Sequence, residues 1–322
     1  MARGTVTGLT RLRYHDTDGR LRSTPCGQEV DIPRQKEYEH AVQNGWIEPL
    51  AGEEPTFAES SASASPPTLR REPPRDWRRR PSLWFITPCW RRYELTRICL
   101  EERLWVCGEL ADMGIDASCV VIADDENLDS ASELGFALHE FPNNGLGARF
   151  NAGISYAAAM GVDYVCMIGS DTWVLPSYFE QLPERGTVRA SRRLAITSKD
   201  GKRLHRLGLT YPGGACRTYP VEMFADFNYR PATPEIMKGC DGSILRKAKS
   251  LGEVTIDYAE TDELQLVGLR SNVQVSDDDL LIERFGLSES GRPWAQLKLR
   301  YPAALVDRAR EFYVSERRKV AV

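Results

Sequence analysis

The sequence predicts an α/β protein, with a mostly parallel sheet flanked by helices over residues 82–285, preceded by a small hairpin-plus-helix module and a linker. Three observations predict it. Apolar runs of strand length recur at Leu83–Ile86, Cys119–Ala123 and Tyr164–Ile168. Segments of helical periodicity lie between them, and that alternation points to parallel strand–helix–strand units. Each run also ends in a polar loop, the place where such sheets keep their ligands.

In chain order, residues 5–32 alternate in polarity around Asp16-Thr17-Asp18-Gly19, a turn sequence that suggests a hairpin. Pro33 opens a helix marked by Tyr38, Ala41 and Val42, which stops at Asn44-Gly45 before Trp46-Ile47-Glu48. Residues 1–50 in this arrangement resemble small hairpin-plus-helix modules of bacteriophage structural proteins, which implies a phage-encoded, virion-associated chain; a generic attachment or dimerisation module is the alternative reading. Residues 51–81 run through Ser, Ala, Pro and Glu and read as a disordered linker. Its basic end, Arg70, Arg71, Arg75, Arg78, Arg79 and Arg80, is either solvated or a patch for an acidic partner or DNA.

The core begins with the strand Leu83–Ile86. A helix over Tyr93–Met113 follows, with apolar marks at Leu95, Ile98, Cys99, Leu104 and Leu110. Next come a strand Val120–Ala123, a helix over 128–134, a strand near 136–141, a Gly-rich turn, a helix Ala148–Met160 and the strand Tyr164–Ile168. Residues 286–322 are expected as a helical tail, with Ala304, Leu305, Ala309, Phe312 and Tyr313 on its packing side.

A hydrophobic content of 42% against 27% charged residues supports a packed core and excludes disorder of the whole chain. Lys and Arg number 42 and Asp and Glu 46, so no global field holds the chain on nucleic acid or anionic lipid. No apolar run approaches a membrane span, and the opening Met1–Val6 lacks the apolar centre of a secretion signal, which predicts cytoplasmic action without a membrane partner. The eight cysteines form no Cys-x-x-Cys pair and read as buried thiols in a reducing compartment. The histidines at 15, 40, 139 and 205 have no zinc-site spacing, and neither a Gly-x-Ser-x-Gly elbow nor a P-loop lysine is present.

Three strand ends carry candidate functional groups: Thr87-Pro88-Cys89-Trp90-Arg91, Asp124-Asp125-Glu126-Asn127 and Gly169-Ser170-Asp171-Thr172. The topology brings them to one edge. Their acids suit a ribose, a base or a divalent cation, or else cap their own loops. In Asn144-Gly145-Leu146-Gly147-Ala148-Arg149, glycine lets backbone approach a ligand and Arg149 offers a fork of donors to a diphosphate.

Taken together and in this order, these segments resemble the inverting GT-A-fold glycosyltransferases of family 2, which include polysaccharide synthases and O-antigen transferases. The resemblance implies a Rossmann-type sheet and a nucleotide-sugar donor such as a UDP-sugar, bound by Thr87, Pro88, Asp125, Arg149, Asn151 and Ser170. It puts Asp171 on the position that binds Mn2+ or Mg2+, although Gly169 or Ser170 stands where the family has a first acid. In Thr261-Asp262-Glu263-Leu264-Gln265-Leu266, with Arg270 downstream, Glu263 falls on the position of the base and Asp262 beside it, while helix capping by Asp262 is the alternative. Asp241, in Lys238-Gly239-Cys240-Asp241-Gly242, is a further catalytic candidate. Residues 185–235, with Arg189, Arg192, Arg193 and Tyr211, are where the family logic puts acceptor recognition. The acceptor is then a hydroxyl on a protein, such as a virion Ser or Thr, or on a DNA base. The competing readings are a catalytically inactive binding protein on the same fold and a nucleotidyltransferase, the latter lacking a Gly-rich loop after the first strand.

Overall fold

On either side of residues 16–20, β2 (Arg11–His15) and β3 (Leu21–Pro25) pair antiparallel with His15 opposite Leu21, as the turn sequence there requires. β1 (Ala2–Val6) pairs antiparallel with both β4 (Glu29–Ile32) and β5 (Ile47–Pro49). These strands belong to the first of two units, Met1–Pro81 and Ser82–Val322. The computed structural model describes residues 80–320 apart from 238, 251, 253, 260–263 and 272–277, with the backbone alone for 278–280, 320 and the five strands just named. The expected helix from Pro33 and all but the last residues of the Arg-rich linker lie outside the described residues.

The second unit holds two sheets. The larger runs β15 (Thr255–Tyr258), β11 (Thr187–Ala190), β14 (Arg217–Pro220), β9 (Tyr164–Met167), β6 (Ser82–Pro88), β7 (Asp116–Ala123) and β8 (Ala137–Glu140). β6 is parallel to both β7 and β9, and β7 to β8, so the sheet is mostly parallel as the alternating pattern requires. Every residue of β6 is buried, because a central parallel strand is covered on both faces, which is why it reads as an unbroken apolar run.

Helix α1 (Tyr93–Asp112) packs on this sheet through Val106 and Leu110, while its Leu95, Ile98 and Cys99 join the core of the second sheet. Leu104, expected on that stripe, is 47% exposed, because position 104 falls on the opposite side of the helical period. The buried stripe instead includes Glu102 and Arg103, an ion pair of 2.6 Å with neither residue exposed. It is tied to the second sheet: Arg103 donates to the Thr172 carbonyl, and Glu102 accepts the Val174 N–H at 2.7 Å. After α2 (Asn127–Glu133) and β8, α3 (Leu146–Ala159) lies on β6 and β7. His139 of β8 is stacked between Phe141 and Tyr156, and burial pushes its pKa down to about 4.

The smaller sheet runs β10 (Thr172–Val174), β16 (Leu266–Gly268), β12 (Arg193–Thr197), β13 (Leu204–Gly208) and β17 (Gly286–Ser290). Where a helical tail is expected from 286, the chain first adds β17 to this sheet, antiparallel to β13. Four further helices are described: α4 (Cys240–Lys249), α5 (Asp278–Phe285), α6 (Pro293–Leu297) and α7 (Ala303–Val320). α7 packs back on α1, burying Val306, Ala309, Phe312 and Tyr313. The seven described cysteines are free thiols, six of them buried. No helix among the described residues is long and apolar enough to cross a membrane.

Candidate functional site

The carboxyl ends of β6 and β9 open into a cleft of about 720 Å3. Pro88 ends β6 there and Trp90 follows it, and Gly169, Ser170 and Asp171 follow β9. The opposite wall comes from Gly214 and Arg217 before and on β14, and from Asp241 and Arg246 on α4.

The loop after β6 is bent sharply. Arg91 and Arg92 both take left-handed backbone conformations, with φ of 53° and 51°. Side-chain-bearing residues pay about 1–2 kcal/mol each for that region, so other contacts must hold them in it. Asp125 supplies one by accepting the Arg91 N–H at 2.8 Å, and Asn127 another by donating to the Arg91 carbonyl at 3.1 Å. The turn aims Arg92 across the cleft, where one guanidinium nitrogen lies 2.9 Å from Asp171 Oδ2 and the other donates to Ser170 Oγ at 3.0 Å.

A second guanidinium reaches the same acid. β10 pairs with β16, and beyond that pairing Leu269 donates its N–H to the Asp171 carbonyl at 2.6 Å. Arg270 is therefore next to Asp171, with Nη1 3.5 Å from Oδ2. Its backbone N–H bonds to Thr197 Oγ1 at 2.9 Å, and that hydroxyl meets Tyr313 of α7 at 2.8 Å. Burial alone would raise the Asp171 pKa, but Arg92 and Arg270 outweigh it and hold the carboxyl below its usual value.

Arg149, on the first turn of α3, is 4% exposed and lines the cleft. One guanidinium nitrogen donates to the Cys89 carbonyl, and its buried Nε has no hydrogen-bond partner among the described residues. Burial lowers its pKa, offset in part by Cys89, Asp124 and Asp125. Arg217 faces it from β14, bonded to the carbonyls of Asp241 and Pro212, with its Nη2 3.9 Å from Asp241 Oδ2.

The residues expected to bind a nucleotide sugar divide in two. Pro88, Arg149 and Ser170 line the cleft. Thr87 does not: it is buried within the sheet and accepts from the Cys119 thiol at 3.4 Å. Asp125 is spent on the Arg91 N–H and on the N–H and side-chain amide of Asn127, so it shapes the loop. Asn151 is used on both amide atoms, which bond the N–H and carbonyl of Ala232 at 2.8 Å each. The Gly-rich turn is likewise tight for an internal reason. A Cβ on Gly147 would stand 1.9 Å from the Thr233 carbonyl, and the N–H groups of Gly147 and Ala148 donate to Ile236 and Pro234. The backbone that comes close there is the chain's own. Of the catalytic candidates, Asp241 lines the cleft, whereas Asp262 and Glu263 lie outside the described residues. In the 185–235 segment Tyr211 lines the cleft, but Arg189 is buried against Asp257 and the Tyr178 carbonyl.

Arg92 and Arg217 escaped the sequence reading, and Arg270 entered it only as a downstream mark. The one local signal for Arg92 was the Arg91-Arg92 pair directly after a strand end.

The donor set at Asp171 does not fit Mn2+ or Mg2+. The carboxylate already serves two guanidiniums, and Ser170 Oγ accepts from one of them. Two like unit charges 4 Å apart repel by about 4 kcal/mol at an effective dielectric near 20, and a divalent ion roughly doubles that for each arginine. Among the described residues no three His, Cys, Asp or Glu side chains are grouped to hold a metal ion.

No protein-family model matches the chain, and no curated protein sequence matches it. Solved structures do show likeness. S. aureus TarS 1-349 in complex with UDP-GlcNAc aligns at 12% identity and a TM-score of 0.43 over 60% of this chain, and the aligned part spans 60% of that chain. A mutant of the Drosophila β-1,4-galactosyltransferase 7, in complex with manganese, UDP-Gal and xylobiose, aligns at 14% identity and a TM-score of 0.37 over 57% of this chain and 68% of its own. The T. maritima inositol-1-phosphate CTP transferase aligns at 12% identity and a TM-score of 0.38 over 64% of this chain and 95% of its own. At these scores an activity has to be argued from the cleft itself.

Proposed function

We propose that the cleft transfers a sugar, with inversion, from a nucleoside diphosphate donor to a hydroxyl acceptor. One observation carries this reading: at the carboxyl ends of β6 and β9, Arg92, Arg149, Arg217, Arg246 and Arg270 surround two carboxylates, Asp171 and Asp241. That pattern suits a ligand with a diphosphate at one end and a proton to be removed at the other.

In the reaction the acceptor oxygen bonds to the anomeric carbon while the bond from that carbon to the diphosphate oxygen breaks. The electron pair leaves with the nucleoside diphosphate, whose growing charge the fixed guanidiniums neutralise. The acceptor proton passes to a carboxylate. We assign that role to Asp241, because its side chain lines the cleft and is 3.9 Å from Arg217, farther than either arginine is from Asp171. Glu263, with Asp262 beside it, is the rival from the sequence. The acceptor is a hydroxyl on a protein ahead of one on DNA, since a formal net charge of −4 does not gather nucleic acid.

Thermal melting against UDP-, GDP- and dTDP-sugars, each in EDTA and in Mn2+, tests the reading. A rise with one donor in either condition supports it, because a ligand that binds only the folded state raises apparent stability. No rise with any donor moves the chain to the inactive binding-protein reading. Once a donor is known, Asp241→Asn is expected to keep donor binding and lose transfer. Full transfer by Asp241→Asn with loss in Glu263→Gln gives the base to Glu263.

A further inference from the structure

We infer that the cleft binds a diphosphate through Arg92, Arg149 and Arg270 without a divalent cation, and that Asp171 positions two of these guanidiniums rather than ligating a metal. The inference deepens the glycosyltransferase reading and rests on it for the identity of the natural ligand. Its grounds are independent of that reading.

Three features of the cleft support it. Asp171 is 16% exposed at its side chain and lies between Arg92, 17% exposed, and Arg270, 10% exposed, so a carboxylate that looks like a cation ligand in the sequence is the counter-ion of a guanidinium pair. Both guanidiniums also line the open cleft, beside the acid that joins them. Arg149 adds a third cation, 96% buried, with an N–H that nothing in the described chain satisfies. A buried guanidinium without an anion is costly, and planar forks of N–H donors match phosphate oxygens bidentately.

At α3 the backbone does not compete for this role. The N–H groups of Gly147 and Ala148, which would otherwise present a helix N-terminus to an anion, are spent on the carbonyls of Ile236 and Pro234. Beside α3 an anion is therefore left to the Arg149 side chain. The two bent residues Arg91 and Arg92 are explained by the same arrangement, since only a sharp turn after β6 brings Arg92 across to Ser170 and Asp171.

Titration calorimetry with inorganic pyrophosphate on the full chain tests this, once in EDTA and once in Mn2+. The expected result is saturable binding in EDTA, weakened about tenfold or more in Arg92→Gln, the size of a lost charge-assisted hydrogen bond. Asp171→Asn, which releases both guanidiniums, is expected to weaken that affinity in EDTA and in Mn2+ alike, whereas a metal-ligand role predicts a loss confined to Mn2+. Arg92 is on a loop, and a melting curve on each variant separates lost binding from lost fold. Binding that appears only with Mn2+, or no binding in either condition, overturns the inference.

The donor panel keeps the two readings apart. Pyrophosphate bound in EDTA with no nucleotide sugar bound leaves the clamp standing and removes the glycosyltransferase. A nucleotide sugar bound only with Mn2+ removes the clamp and leaves the glycosyltransferase.

Discussion

Asp125 and Asp171 look alike in the sequence, each an acid a few residues past a parallel strand, and the structure employs them in opposite ways. Asp125 accepts from the N–H and side-chain amide of Asn127, two residues on, and from one remote donor, the N–H of Arg91. Two of these three contacts are made within its own loop. Asp171 has one adjacent donor, the Thr172 hydroxyl at 3.2 Å, and is otherwise held by distant partners, Arg92 from the first strand end and Arg270 from the second sheet. The strand that follows it rests on the buried Glu102–Arg103 pair of α1. A self-capped loop is a fixed brace, whereas a loop assembled from remote elements brings separate charges to one point.

The largest effect is expected from undercutting the second loop. Glu102→Ala leaves Arg103 buried and unpaired beneath Thr172, and removing one partner of such a pair costs about 3–5 kcal/mol. Chemical denaturation measures it, and a loss under 1 kcal/mol, about the worth of an exposed pair, would erase the contrast between the two loops.

A slightly smaller effect belongs to the β7–β8 edge, on the side of the self-capped loop. His139 has a folded-state pKa of about 4, below its unfolded value of 6.5. A depressed histidine pKa means that the neutral ring is favoured by folding. Its contribution is complete above pH 6.5 and is lost as pH falls from there through about 4. At 1.36 kcal/mol per unit the full loss is about 3 kcal/mol. Melting temperatures from pH 7 to pH 4 are expected to fall less in His139→Phe than in the parent, and parallel slopes would show that the ring does not titrate with folding.

The smallest effect sharpens the comparison directly. Asp125→Ala removes an acceptor shared by three N–H donors around a half-buried site, worth about 1–2 kcal/mol. Because Arg91 and Arg92 share the turn that Asp125 holds, the variant is expected to weaken pyrophosphate binding less than Arg92→Gln does. Equal losses would make the loop's form, rather than the guanidinium, the determinant.

The contrast also explains what was legible in advance. β6, α1, β7, α3 and β9 were readable because burial on both faces leaves unbroken apolar runs and packing on a sheet leaves a helical stripe. The second sheet was not, since Leu266–Gly268 is a three-residue strand whose neighbours come from far along the chain. Asp171 was found as a residue, but its ion pairs were not legible, because one of them depends on Arg270, which that same strand delivers. Asn151 and Gly147 drew attention for their types, but their partners, Ala232 and Thr233, carry no local mark.

Arg270 is fastened through Thr197 to Tyr313, on the helix that follows everything else in the second unit. In the order of synthesis the brace therefore comes after what it braces. The parallel strands, the sharp turn at Arg92 and even Arg270 itself leave the ribosome before Tyr313 does, so the last fastening of Arg270 waits for the final helix of the unit.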